Sequence, residues 1–75
     1  MIINQKPRRI KITGMSPKDA CFGDKEKYIG RTGMFIPDIN QHNPGYFAGY
    51  IEYDLEWLEG EYLCEYFYAI RYRRI

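Results

Sequence analysis

The stretch Tyr28-Ile29-Gly30-Arg31-Thr32-Gly33-Met34-Phe35-Ile36 sets two glycines three residues apart directly ahead of an apolar, β-prone run. Glycine supplies backbone freedom where a loop must turn into a sheet or let another strand approach closely. The spacing therefore predicts a loop feeding a strand over Met34–Ile36, with Gly30 and Gly33 structural and Gly33 at a positive φ. A chain built from short strands entered this way folds as a sheet that curls, not as a bundle.

The rest of the chain supports that frame. Residues 1–5 read as a lead-in and 6–75 as one domain. Arg9, Lys11 and Thr13 alternate with Ile10 and Ile12, the period of a half-buried strand, and Gly14 is expected to end it. The polar segment 15–27 reads as a long loop with room for one short helical turn at Ser16-Pro17-Lys18-Asp19, and Cys21-Phe22 is expected to tuck beneath the sheet. Pro44-Gly45 fits a type II turn, proline setting φ at its first central position and glycine supplying φ > 0 at its second. In Tyr46–Tyr53, Phe47, Ile51 and Tyr53 share a face, and Gly49 on that face marks a bend or a close approach. Residues 54–61 form an acidic turn. Residues 62–75 read as two strands broken near Phe67–Ala69, where a helical turn would also fit. Leu55, Leu58, Tyr62, Tyr66 and Ile70 also fall near helical spacing, but Gly60 and the Tyr/Phe/Ile content disfavour a helix. The expected core is Ile10, Ile12, Met34, Ile36, Phe47, Ile51, Leu63 and Phe67.

With 75 residues the chain has room for a single core. Such a chain buries roughly 60% of its unfolded surface, so its eight tyrosines, four phenylalanines and one tryptophan must contribute heavily. Met1-Ile2-Ile3 runs straight into Asn4, Gln5 and Lys6, which predicts no secretory leader, a cytoplasmic location and free thiols at Cys21 and Cys64. No run approaches the roughly 20 apolar residues of a membrane span, so no membrane partner is expected. Residues 1–36 carry eight Lys/Arg against three acids, residues 37–68 carry seven acids and no Lys/Arg, and the end adds Arg71, Arg73 and Arg74.

Five short strands, a long first loop and a Gly-x-x-Gly-x-apolar strand entry resemble an SH3-like small barrel. Ile29-Gly30-Arg31-Thr32-Gly33-Met34-Phe35 in particular resembles the KOW motif of ribosomal and transcription-associated barrels, with Lys25, Lys27 and Arg31 as its basic flank. Short proteins of this shape, without assigned roles, are common in phages and other mobile elements. The resemblance is sharpest over residues 8–36 and implies an all-β, five-stranded SH3-like barrel. The acidic second half departs from the KOW pattern, which argues against RNA binding by the whole surface.

Little in the sequence points to catalysis or metal. Cys21, His42 and Cys64 are separated by about twenty residues each, without the Cys-x-x-Cys pairing of zinc sites, so they read as two buried thiols and a loop histidine. No phosphate loop, nucleophile–base pair or cofactor motif stands out. The reading is of a non-enzymatic binding module without metal or cofactor. Its nucleic-acid candidates are Arg8, Arg9, Lys11, Arg31, Arg71, Arg73 and Arg74, with Tyr68 and Tyr72 as stacking faces, provided the first and last strands are neighbours. The alternative is a protein partner, met by sheet edges or by Leu55, Trp57 and Leu58 in the acidic aromatic turn, since tryptophan and tyrosine dominate interface hot spots.

Overall fold

The alternation around Ile10 and Ile12 builds β1 (Arg8–Met15). The computed structural model describes residues 6–17, 25–41, 43–58 and 63–75. β2 (Thr32–Pro37), β3 (Phe47–Tyr53) and β4 (Cys64–Arg74) follow, with single-turn 3-10 helices at Lys25–Tyr28 and Leu55–Trp57. All pairings are antiparallel, and the order β1-β2-β3-β4 closes into a barrel, because β4 returns to pair with β1. The architecture is thus all-β, as the sequence implies. Among the described residues it has four strands rather than five, and none of its helices is long and apolar enough to cross a membrane.

The missing strand is explained by β4. The segment read as two strands is one continuous strand of eleven residues that changes partner half-way. Its first half pairs with β3, Glu52 opposite Cys64 through Phe47 opposite Ile70. Its second half pairs with β1, Met15 opposite Ile70 through Ile10 opposite Arg74. Between Phe67 and Ile70 it carries one residue more than β3 does between Gly49 and Phe47. An extra residue of this kind bends a strand and switches which side chains face inward. Ala69 and Ile70 are accordingly buried in succession. β1 does not end at Gly14 but continues to Met15 through a register shift between Ile12 and Gly14.

Ile10, Ile12, Phe35, Ile51, Phe67 and Ile70 are completely enclosed, each worth roughly 1.5–3 kcal/mol of burial. Four of the expected core residues are therefore in place, and four are not. Met34 and Ile36 face outward because Phe35 takes the interior, its ring lying over Gly49, where an added Cβ would approach that ring to 2.7 Å. Leu63 is exposed just before β4, and Phe47 shares the inner face but sits at the open end of the barrel.

The glycine pair divides its work differently from expectation. Gly30, not Gly33, has positive φ, +97°. There the chain leaves the Lys25–Tyr28 helix and is gripped by β1, Gly30 N–H donating to the Ile12 carbonyl at 2.8 Å and Ile12 N–H to the Arg31 carbonyl at 2.9 Å. Gly33 has ordinary strand geometry, but a Cβ there would run into the Glu52 carbonyl oxygen. The Pro44-Gly45 turn forms as read, Gly45 at φ +80° and Tyr46 N–H donating to the Asn43 carbonyl at 3.1 Å. The Lys18-Asp19 helix start, Cys21-Phe22, His42 and Gly60 lie outside the described residues.

Candidate nucleic-acid interface

Pairing of β1 with β4 meets the condition on which the basic candidates depended. Lys11 stands directly opposite Arg73, Ile12 opposite Tyr72, and Gly14 opposite Arg71. Arg71, Arg73 and Arg74 are exposed, and Lys11 is half-buried beside them. Lys11, Arg73 and Arg74 have no acidic partner within salt-bridge distance among the described residues. Arg71 lies over the Tyr46 ring, 4.6 Å from its centroid. Like charges set directly opposite on paired strands destabilise a sheet, so Lys11 facing Arg73 is a local cost that the fold alone does not explain.

Other basic candidates are engaged elsewhere. Arg9 forms a two-pronged pair with Asp54, Nη1 and Nη2 at 2.6 and 2.8 Å from the two carboxylate oxygens. Those bonds, with the Thr32 hydroxyl donating to the same carboxylate at 2.5 Å, hold Asp54 down at about 2. Arg8 is half-buried at the open end of the barrel, Nη1 donating to the Tyr72 hydroxyl at 3.3 Å. Arg31 does not join the basic group at all. It is 4% exposed, its guanidinium 4.8 Å from the Tyr28 centroid, 5.0 Å from Tyr53 and 5.9 Å from Trp57, with Nε donating to the Lys27 carbonyl at 3.2 Å. A cation can be taken out of water in this way because the ring faces are electron-rich and a guanidinium is weakly hydrated. Burial, and after it the adjacent Glu65 carboxylate, raises the Tyr53 phenol well above its ordinary value. Its buried hydroxyl has no hydrogen-bond partner among the described residues.

The aromatic side of the site is larger than Tyr68 and Tyr72. On the solvent side of β4, Tyr66 and Tyr68 meet edge to face at 5.1 Å, and Tyr50 of β3, opposite Tyr66, meets it at 4.8 Å. Tyr50 and Tyr68 are about half exposed. Tyr66 is anchored by its hydroxyl, which donates to Asp38 Oδ2 at 2.6 Å and is pushed up to about 12 mainly by that bond. Tyr50, Tyr66 and Tyr46 were not among the sequence candidates. The period-two run Tyr66, Tyr68 carried the signal, but Tyr50 joins it only through the register. Tyr72 instead turns inward, 5.0 Å from Phe35 and 5.1 Å from Phe47.

In the acidic turn, Leu55 is 85% exposed, whereas Trp57 and Leu58 pack against the core, Trp57 Nε1 donating to Thr32 Oγ1 at 3.0 Å. Closure of the barrel leaves no free strand edge among the described residues for a partner strand. No group of three or more metal-ligating side chains occurs among them. Cys64, expected to be buried, is exposed, and partial desolvation followed by Glu52 and Glu65 raises its thiol above the ordinary value. Comparison with protein families, curated proteins and solved structures gives no match to this chain.

Proposed function

We propose that the protein is a non-catalytic module that binds single-stranded nucleic acid along the solvent side of β4. The observation that carries this reading is the order of side chains on that strand. Tyr66 and Tyr68, extended sideways by Tyr50, lead across the bulge to Arg71 and Arg73, with Lys11 alongside. Rings that accept bases beside cations that follow a backbone are what sequence-tolerant binding of a single strand requires. A phosphate between Lys11 and Arg73 would also remove their mutual repulsion. We further propose that the barrel is SH3-like with a KOW-like entry into β2, supported by the positive φ at Gly30.

On the solvent-facing surface of β4 and its neighbour β1, Lys11, Arg71, Arg73 and Arg74 offer four phosphate contacts. Binding of a fluorescein-labelled oligothymidylate should then fall with salt at a log–log slope of roughly −3, since each contact to a single strand contributes about −0.7. Absence of binding at low salt, or a slope near zero, overturns the reading. The exposure of Leu55 favours a second reading, a protein partner at the 54–58 turn. Leu55→Ser abolishing a stable interaction while leaving strand binding intact would establish it.

A further inference from the structure

The geometry points to a single-nucleotide subsite at the open end of the barrel, with a base against Phe47 and Tyr72 and its phosphate on Arg8. This rests on the strand-binding reading and names where one nucleotide of the strand leaves the surface. A cleft of about 230 Å³ opens there between Arg8, Pro37, Asp38, Ile39, Phe47 and Tyr72. That is below the 300–1,000 Å³ usual for drug-sized ligands and suits one planar ring system. Phe47 lies on the inner-facing side of β3, yet the residue remains 45% exposed at the mouth, its ring tilted against Tyr72. A half-open apolar ring backed by a second aromatic ring is a ready stacking face.

The charges fix the orientation. Arg8 is half-buried and gives one hydrogen bond, to the Tyr72 hydroxyl, with no acidic partner among the described residues. Most of its five N–H donors are therefore unfilled, and a guanidinium matches a phosphate in two-pronged geometry. The Asp38 carboxylate in the same cleft accepts from Asn40 N–H at 2.9 Å and from the Tyr66 hydroxyl. It repels an anion and so directs the phosphate to the Arg8 end. Tyr72 lies between Arg71 and Arg73 in β4 but on the opposite face, and Phe47 follows Tyr46, on which Arg71 rests, so a nucleotide reaches the cleft by turning from the basic strip over the rim of the barrel.

The test compares an oligothymidylate with an abasic strand of equal length, by fluorescence anisotropy at low salt. Phe47→Leu keeps an apolar side chain at an exposed position but removes the flat ring. It should weaken the base-bearing strand about tenfold and leave the abasic strand unchanged, whereas Arg8→Gln should weaken both. Equal binding of the base-bearing strand by wild type and Phe47→Leu overturns the subsite, while continued dependence on Lys11 and Arg73 keeps the surface reading. No binding by wild type overturns both. Should Phe47→Leu melt early, 4-thiothymidine cross-linking to the wild-type protein decides. Adducts at Phe47 or Tyr72 support the subsite, and adducts confined to Tyr50, Tyr66 or Tyr68 overturn it.

Discussion

Four side chains, Arg9, Thr32, Asp54 and Trp57, form a hydrogen-bonded chain that joins β1 and β2 to the turn after β3. Its titrating member is Asp54, held at about 2 by Arg9 first and Thr32 second. A carboxyl depressed on folding stabilises the fold above its unfolded value and loses that contribution as pH falls through the folded value. Thermal melts from about pH 5 to about pH 2 should therefore show wild type converging on Asp54→Asn at the acid end, and parallel curves would refute the assignment. The glycine pair offers a second contrast at this scale. Gly30→Ala faces open space and meets only the left-handed backbone penalty of about 1–2 kcal/mol, so Gly30→Asn should cost less. Gly33→Ala meets the Glu52 carbonyl and should cost about 1–3 kcal/mol whatever its φ preference. Denaturant melts in which asparagine rescues Gly33 as well as Gly30 would contradict this division.

Strand β4 shows how far a sequence reveals an element before its partners are known. Its β character was legible from its tyrosines and Phe67, and the change of face near Phe67–Ala69 was visible as a break in the alternation. The break is a bulge where one strand passes from β3 to β1, and that depends on residues far away in the chain. Deleting Tyr68 would restore plain alternation, keeping Phe67, Ile70 and Tyr72 inward but turning Ala69 outward and removing the bend by which β4 passes from β3 to β1. The deletion variant should show no cooperative melt, and a wild-type-like transition would rule the bulge out as a structural requirement. In β2, Met34-Phe35-Ile36 is apolar at every position, so alternation could not choose the inner residue. The space above Gly49 does, and it is visible only once β2 and β3 are in register. The basic site was legible as a pair of chain ends. Arg31 was misplaced with them because a lone arginine between glycines does not announce the three rings that enclose it.

At the scale of the whole molecule, a net charge of +1 cannot by itself draw a polyanion to this barrel. Binding must come from where the cations lie, and closure by β1 and β4 places Lys11, Arg71, Arg73 and Arg74 on adjoining strands. Arg71→Glu with Arg73→Glu takes the net charge from +1 to −3, since each exchange removes one positive and adds one negative charge. Lys6→Glu with Lys27→Glu gives the same net charge, from two exposed positions outside the β1–β4 pairing. If position governs, the arginine pair should lose strand binding at low salt, while the lysine pair retains most of it and nearly the wild-type salt slope. Long-range attraction alone would weaken both variants alike, because a smooth potential responds to total charge within a Debye length of about 10 Å at 0.1 M salt. Equal loss in the two variants would therefore reject a localised interface on β4 even though the protein bound nucleic acid.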